Sequence, residues 1–236
     1  KVGEAEVMVE AGVPEVMIPN QVIGKRKIAR IVALARSARI IVAVESAGNV
    51  DDLSAVSSAA GAELGVIVEV NVGMDRCGVD GAGAVELAKQ IDAAPGLRFD
   101  GLMGYEGHVV AERDYETRKI EAEKAMAILT GAADQIRETG IAVKLVSAAG
   151  TGTYNITGRV EGVTELQCGS YIFMDGDYLE VFNDFEPALS VLATVISRQK
   201  QDVAIVDMGL KSISMDRGLA EVIAPASASI ISHSEE

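Results

Sequence analysis

The sequence predicts an α/β protein with a parallel β-sheet, followed by the start of a second, mostly antiparallel β domain. Three observations support this prediction. Short apolar runs alternate with amphipathic helical segments up to Pro187, and such alternation produces crossover connections between parallel strands. The first strands begin roughly 25 residues apart, which suits either a (β/α) barrel or an open doubly wound sheet. After Pro187 the helical segments stop and β-branched runs follow one another.

Each element of the first part is predicted from its own pattern. Strands are predicted from runs of apolar, often β-branched residues, of which 64–72 is the strongest. Helices are predicted from apolar residues at helical spacing, as at Ile28, Ile31 and Leu34, and Pro95 ends one of them. In chain order the predicted elements are helix 4–11, strand 15–19, helix 26–37, strand 39–44, helix 50–60, strand 64–72, helix 83–93, strand 98–103, helix 114–139, strand 143–146 and strand 164–167.

The part of the chain after Pro187 has a different pattern. Its β-rich runs are 189–196, 203–206 and 222–231, with Gly209 and Gly218 between the later ones. No segment there predicts a helix. We therefore expect the first domain to span 1–187 and the start of a β domain to span 188–236.

Composition and charge exclude several classes of protein. The chain has 35 acidic and 21 basic residues, and its net charge of -14 argues against a nucleic acid or an anionic membrane as partner. No apolar run approaches the roughly 18 residues that a membrane span needs. Its two cysteines are too few for a disulfide scaffold and indicate a reducing compartment, so we expect a cytoplasmic protein. Since the chain begins with Lys1 rather than Met, we also expect a fragment of a longer protein.

Functional groups of a parallel barrel collect at the carboxyl ends of its strands. The strand at 64–72 runs into a glycine-bounded turn, 73–78, that carries Arg76. This guanidinium is suited to an anionic oxygen of a cofactor or substrate. The alternative is a structural ion pair with Asp75 or Asp80.

The strand at 98–103 is followed by three polar side chains between glycines, those of Tyr105, Glu106 and His108. A single histidine is usually structural, but this combination at a strand end predicts a functional site. His108 is therefore a candidate catalytic residue. The sequence shows no metal-ligand spacing, because its histidines and cysteines are all isolated from one another.

Turns of small residues follow the last two predicted strands, at 147–153 and 168–171. Glycines let backbone N–H groups approach a phosphate, and threonine hydroxyls add further donors. Such loops are common singly, but a pair of them matches the phosphate site that barrels form after strands seven and eight. If these are strands seven and eight, the chain lacks strands one and two. No GxGxxG follows a strand, which disfavours a dinucleotide-binding sheet.

Motifs at these four turns resemble a known family. The sequence resembles the D-threonine aldolase and D-serine dehydratase family in the segments NVGMDRCGV, GLMGYEGHV, SAAGTGTY and TELQCGSYIFMDGDY. Two further segments, EAEVMVEAGVPEVMIPNQV and AIVDMGLKSISMDRG, extend the resemblance over essentially the whole chain. The aldolase branch, including 3-hydroxy-D-aspartate aldolases, is the most similar. The resemblance implies the alanine-racemase-like fold, fold type III of the pyridoxal-phosphate enzymes. It thus implies a (β/α)8 TIM-type barrel over 1–187, without its first two strands, and an incomplete C-terminal β domain over 188–236.

The resemblance also implies that pyridoxal 5'-phosphate binds at the carboxyl end of the barrel. Arg76 would donate to the phenolic oxygen of the cofactor, Tyr105 would pack against its pyridine ring, and Gln167 would contact the ring edge. Ala149 replaces a glycine that is expected in the phosphate loop. The residues implied to bind the phosphate or shape its loop are Gly150, Thr151, Gly152, Gly169, Ser170 and Tyr171.

The implied reaction is cleavage of a D-3-hydroxy amino acid, such as D-threonine, to glycine and an aldehyde by a homodimer. A divalent metal (manganese, magnesium or zinc) assists. The Schiff-base lysine of the family lies upstream of Lys1, and its metal ligands lie downstream of Glu236. None of the nine lysines matches that motif, so no catalytic lysine and no metal ligand are assigned in this chain, and the chain alone should be inactive.

Three other functions stay open at this point. A D-serine dehydratase shares the fold, the cofactor and most motifs, and differs in its substrate and metal ligands. A non-catalytic pyridoxal-phosphate-binding barrel would consist of a barrel alone, which the β-rich stretch 189–231 disfavours. A barrel without a cofactor is the last alternative.

Overall fold

A computed structural model describes residues 1–216 and 218–235 of the chain. The chain forms two compact units, Lys1–Cys168 and Gly169–Glu236. The first unit is an α/β fold with a parallel sheet, and the second contains an antiparallel hairpin and short helical turns. No helix in the described part of the chain is long and apolar enough to cross a membrane.

The sheet of the first unit has the order β1-β2-β3-β4-β5-β6, so each strand lies beside the next one in the sequence. All its pairings are parallel. This order is that of a barrel wall, because the order of a doubly wound sheet reverses at a switch point. The strands are β1 (Glu15–Gln21), β2 (Arg39–Val44), β3 (Leu64–Glu69), β4 (Leu97–Met103), β5 (Leu145–Ala148) and β6 (Glu165–Leu166).

Helices connect these strands and cover the outer face of the sheet. Asp80 caps α4 by accepting the N–H of Gly83 at 2.7 Å, and Asp114 caps α5 by accepting the N–H of Thr117 at 2.8 Å. The helices are α1 (Val2–Glu10), α2 (Lys25–Leu34), α3 (Ala47–Ala59), α4 (Gly81–Ala93), α5 (Tyr115–Glu138) and α6 (Tyr154–Thr157).

The predicted elements of the first unit are all present, with shifted ends. β3 stops at Glu69 rather than at residue 72, because the chain turns there and Val70 bridges to Val79. β5 runs over Leu145–Ala148 rather than 143–146, because β4 first pairs with it through Gly101 and Leu145.

Both faces of the sheet are apolar, as is typical of parallel sheets with helices on one side and a barrel interior on the other. On the outer face, Val66 of β3 and Leu129 of α5 belong to one large buried cluster. The inner face carries a smaller buried cluster of Ile41, Ala43, Ile67 and Met103, with Met17 and Leu145 packed against it. This inner cluster lines the concave side of the barrel wall.

An irregularity interrupts the pairing of β3 with β4. Val66 pairs with Phe99 but Ile67 pairs with Gly101, so Asp100 is an extra residue in β4, as in a β-bulge. The Asp100 carboxylate is completely buried, accepts hydrogen bonds from Arg98 at 2.9 Å and from Arg39 at 3.0 Å, and raises the pKa of Arg98. The two arginines also pair with Glu63 and Glu15, respectively, so an ion-pair network lies at the amino end of the sheet.

The second unit begins with a 3-10 helix, Ser170–Ile172, followed by α7 (Gly176–Leu179). Its two strands, β7 (Val195–Lys200) and β8 (Val203–Val206), form an antiparallel pair. The ring of Phe185 lies 5.6 Å from that of Tyr171, centroid to centroid. This hairpin confirms an antiparallel β segment after the barrel.

Two strand predictions in the second unit were wrong in part. Of the run 189–196, only Val195 and Ile196 enter a strand, and that strand continues beyond the predicted run to Lys200. The run 222–231 forms no strand within the described residues 218–235. Pro225 lacks a backbone donor, and the alanines and serines after it have low strand propensity.

The domain boundary predicted at 187 stays a prediction. The compact units divide after Cys168, where the last strand of the parallel sheet has just ended. Residues 169–187 therefore belong to the second unit by compactness, although the sequence pattern changes only after Pro187.

Candidate functional site

Three turns at the carboxyl end of the sheet carry most of the predicted site residues. They are 70–80 after β3, 104–112 after β4 and 149–153 after β5. Because β3, β4 and β5 are neighbours in the sheet, their carboxyl ends bring these turns side by side.

Arg76 lies beside Tyr105. The guanidinium carbon of Arg76 is 5.5 Å from the centroid of the Tyr105 ring, a cation–π contact. The ion pair considered as the alternative is not formed: Asp75 accepts a hydrogen bond from Asn71 at 2.8 Å, and Asp80 caps α4. The Arg76 side chain is exposed, so its donors are accessible to an anionic ligand.

The Tyr105 ring is closely packed on two sides. A Cβ at Gly107 would overlap the ring, and a Cβ at Gly150 would lie 3.0 Å from its Cε2. The ring therefore lies between its own turn and the loop after β5, which leaves room only for glycine at both positions. Tyr105 is half-buried, and its ring is held in place for stacking against a planar ligand.

The loop 149–153 is buried and tightly fitted. A Cβ at Gly152 would overlap the carbonyl oxygen of Val110, so this position requires glycine. Thr151 is 2% exposed. Ala149 has φ of 69°, a left-handed conformation that side chains disfavour. This backbone explains why glycine is expected at position 149.

Glu106 lies beneath this loop and is completely buried. Its Oε2 accepts the N–H of Ala149 at 3.1 Å, and its Oε1 accepts the hydroxyls of Thr153 at 2.7 Å and Thr157 at 2.6 Å. The sequence pattern singled out Glu106 only as a polar neighbour of Tyr105. Its contact with the loop depends on tertiary structure, which the spacing of residues could not reveal.

Gln167 lies on the inner face, near the end of β6. Its Nε2 donates to the Ser147 hydroxyl at 2.9 Å, and Ser147 donates to Glu165 at 2.6 Å. This chain of hydrogen bonds fixes the amide of Gln167. The adjacent Cys168 thiol donates to the carbonyl of Gly150 at 3.4 Å, and burial, with a smaller effect from Glu106, raises its pKa. Cys168 is therefore a protonated thiol that supports the loop.

A second acidic group lies at the end of β3. The ligand atoms of Glu45, Glu69 and Cys77 lie within 4.8 Å of one another. Glu69 accepts from Gln21 at 2.5 Å and Glu45 accepts the N–H of Gly78 at 2.5 Å. Burial raises the pKa of Glu69 and, with help from Glu69, that of Cys77. No sequence pattern indicates this group, because its members come from three separate segments. Acidic clusters of this kind occur widely without a metal.

Other predicted residues are placed differently. His108 is exposed, and its Nε2 would lie 3.2 Å from a Cβ at Gly73, so it adjoins the turn that carries Arg76. Gly169, Ser170 and Tyr171 belong to the second unit, where Ser170 and Tyr171 lie in the 3-10 helix. Their predicted phosphate contacts stay predictions. The first-unit lysines lie at the ends of or within helices, or before β5, so none is assigned as catalytic.

Comparison with known proteins shows the family to which the chain belongs. The family model for the alanine racemase N-terminal domain matches residues 1–177, and a model for a serine dehydratase domain matches residues 188–236. The chain is 39% identical over 230 residues to a 3-hydroxy-D-aspartate aldolase of Paracoccus denitrificans and 42% identical over 223 residues to a D-threonine aldolase of an Arthrobacter species. These alignments cover 93% and 92% of the chain, and the chain spans 59% of the length of each relative.

A solved structure is also similar. The crystal structure of D-threonine aldolase from Filomicrobium marinum superposes with a TM-score of 0.90 at 41% identity, over 93% of this chain and 60% of that protein. The fold of this chain is thus shared with an aldolase of known structure. By its sequence over 1–177 and by its fold, the chain belongs to the family of alanine racemase N-terminal domains.

Proposed function

We propose that the full-length gene product containing this chain is a pyridoxal-phosphate-dependent, metal-assisted aldolase. It cleaves D-3-hydroxy amino acids, such as D-threonine, to glycine and an aldehyde. The observation that carries the proposal is the contact of Arg76 with Tyr105 beside the loop 149–153, at the carboxyl end of a parallel barrel wall. Similarity to two kinds of D-3-hydroxy amino acid aldolase supports the substrate class.

The residues present fit pyridoxal phosphate. The Tyr105 ring is fixed by close packing and offers a flat apolar surface, while the exposed Arg76 guanidinium lies 5.5 Å from its centroid. A guanidinium is a strong donor to a phenolate oxygen, and a tyrosine ring stacks on a pyridine face. When bound, the cofactor supplies an electron sink for the cleaved bond.

The proposed roles of the individual residues come from the sequence motifs, and the positions of the first-unit residues support them. Arg76 holds the phenolic oxygen and Tyr105 orients the ring, while Gln167, whose amide is fixed by Ser147, contacts the ring edge. Gly150, Thr151 and Gly152 hold the phosphate with their backbone and the Thr151 hydroxyl. Gly169, Ser170 and Tyr171 are proposed as further phosphate ligands from the sequence motif alone.

Four further features complete the proposal. His108 is the candidate for contact with the substrate, since its exposed imidazole adjoins the Arg76 turn. A divalent metal bound by residues outside this chain, a homodimeric assembly and a cytoplasmic location are predictions from the family resemblance and the composition.

A D-serine dehydratase is the second candidate, and the serine dehydratase model over residues 188–236 favours it. The two reactions give different products from D-threonine. The aldolase releases glycine and acetaldehyde, whereas a dehydratase releases 2-oxobutanoate and ammonia.

Incubation of the purified full-length protein with D-threonine, pyridoxal phosphate and manganese tests the proposal. We expect glycine and acetaldehyde in equal amounts, and loss of turnover after chelation of the metal. L-Threonine is the matched control substrate and should not be cleaved. Formation of 2-oxobutanoate and ammonia would establish the dehydratase instead, and no product above the no-protein control would refute both.

A further inference from the structure

The roles proposed above do not use Glu106, a buried carboxylate beneath the loop 149–153. Glu106 is completely buried, and among the described residues no ion pair with a cation is found for it. Burial of a carboxylate is costly unless hydrogen bonds compensate for the lost water. Here three donors do so, and all three belong to the loop 149–153 or to α6, which directly follows it.

These hydrogen bonds reach two consecutive backbone amides of the loop. The N–H of Ala149 donates directly to Glu106 at 3.1 Å. The N–H of Gly150 donates to the Thr153 hydroxyl at 3.2 Å, and that hydroxyl donates in turn to Glu106 at 2.7 Å. One carboxylate thereby fixes the backbone immediately before Thr151 and Gly152.

The backbone conformation of Ala149, which the hydrogen bond to Glu106 holds, is unfavourable for a residue with a side chain. Ala149 has φ of 69°, where its Cβ is too close to the following carbonyl. Such conformations persist only where the surrounding structure enforces them, and they cluster at ligand-binding sites. The bond from Ala149 to Glu106 is the polar contact that enforces it.

We propose that Glu106 is a positioning residue that sets the phosphate-binding conformation of the loop 149–153, through its hydrogen bonds to Ala149 and Thr153. This inference rests on the proposed function, because pyridoxal phosphate supplies the phosphate. Glu106 acts through the loop and touches neither the cofactor nor the substrate.

The chemistry of a carboxylate explains why glutamate is suited to this position. An ionised carboxylate only accepts hydrogen bonds, on two oxygens, and so satisfies N–H and O–H donors that converge on it. Glutamine has the same shape but replaces one acceptor by an NH2 group, which would face a donor. Glu106→Gln therefore changes the hydrogen bonding under the loop with little change in packing.

The test compares two ligands that differ only in the phosphate. The full-length protein is stripped of cofactor, and dissociation constants for pyridoxal phosphate and for pyridoxal are measured by absorbance titration. The ratio of the two dissociation constants measures how much the phosphate contributes to the binding affinity. We expect Glu106→Gln to lower this preference for the phosphate about tenfold, with the pyridoxal affinity nearly unchanged.

Two controls separate positioning from general stability. Asp100→Asn alters another completely buried carboxylate, which lies in β4 away from the loop 149–153, and it should lower the melting temperature without changing the preference for the phosphate. Thr153→Val removes one link to Glu106 and should lower the preference, whereas Thr153→Ser keeps the hydroxyl and should retain it. If Glu106→Gln does not fold, the Thr153 pair decides the matter.

The possible failures are distinguishable. If the unaltered protein prefers the phosphate but Glu106→Gln and Thr153→Val keep that preference, the role of Glu106 is refuted and the proposed function stands. If the unaltered protein binds neither ligand, or binds both equally, the phosphate loop itself is refuted, and the role of Glu106 with it.

Discussion

At the scale of single residues, the carboxyl end of the barrel wall carries two charged side chains in different surroundings. Arg76 is exposed and lies against an aromatic ring, whereas Glu106 is buried and hydrogen-bonded to the loop 149–153 and α6. The two charged side chains should therefore respond differently to replacement. Loss of Arg76 should affect ligand binding more than the fold, because no ion pair of the fold depends on it within the described residues.

Arg76→Ala should weaken pyridoxal phosphate binding by about 1.5–3 kcal/mol, or roughly 10- to 100-fold, because it removes a charge-assisted hydrogen bond to the phenolic oxygen. The melting temperature should change little. Titration of the cofactor and thermal unfolding of the full-length variant measure the two quantities. Arg36→Ala, which removes an exposed arginine just after α2, is the matched control and should change neither. Unchanged cofactor affinity in Arg76→Ala would show that this guanidinium is only a surface group.

At the scale of elements, glycines in the loop 149–153 and in α5 differ in the space around them. Gly152 has Val110 against its backbone, whereas Gly131, in the middle of α5, would have nothing within 4 Å of an added Cβ. Both glycines have ordinary backbone angles, so they differ only in the space that an added Cβ would occupy. The same substitution should have opposite effects at the two positions.

Gly131→Ala should stabilise the protein by about 0.5–1 kcal/mol, because alanine has the higher helix propensity and meets no neighbour. Gly152→Ala should destabilise it and weaken pyridoxal phosphate binding, because the new Cβ overlaps the carbonyl of Val110 and displaces the loop. Urea unfolding and cofactor titration of both variants provide the comparison. Equal stability changes at the two positions would contradict the tight fit of the loop.

Most helices and strands could be predicted because a local sequence pattern determines each of them. The strand β3 is a continuous apolar run, and α5 has a cap at Asp114 and a regular apolar face, so both were recognised. The segment 222–231 looked equally β-rich but forms no strand, since a strand also needs a partner to pair with. Local patterns carry no information on that partner.

The site could be predicted in part for the same reason. The turns with Arg76, Tyr105 and Gly150 were recognised from glycines and polar residues after apolar strands. The contact between Arg76 and Tyr105 could not be predicted, because it joins two turns about thirty residues apart in the chain. The position of Glu106 under the loop could not be predicted either. Those relations arise only from the order of the strands in the sheet.

At the scale of the whole molecule, the interior of the barrel wall has a polar group at each end and an apolar cluster between them. The amino end is closed by Asp100 and its two arginines, and the carboxyl end holds Glu69. Asp100 has cationic partners, whereas within residues 1–216 and 218–235 the only hydrogen-bond donor to the Glu69 carboxylate is the amide of Gln21. The stability of the molecule should therefore depend on pH through Glu69.

Burial raises the pKa of Glu69 above its ordinary value of 4.5, against a lowering by Gln21 and Arg76. As pH rises past 4.5, the unfolded chain releases this proton first, so the folded state binds more protons and loses stability until its own pKa is passed. Glu69→Gln should remove that loss and become more stable than the unaltered protein as pH rises. Urea unfolding at a series of pH values measures it, with the exposed Glu10→Gln as control. A difference that is independent of pH would contradict the raised pKa.

The extra residue in β4 reverses the alternation by which the following side chains face the helices or the interior. Before it, Leu97 and Phe99 face the helices while Arg98 and Asp100 face the interior. After it the phase is reversed: Leu102 faces the helices, Met103 faces the interior, and Gly104 lies against α5. Tyr105 thereby emerges on the interior side. If β4 kept all its residues but paired with β3 without this bulge, simple alternation would turn Tyr105 towards the helices, so the bulge determines on which side of the sheet the aromatic ring lies.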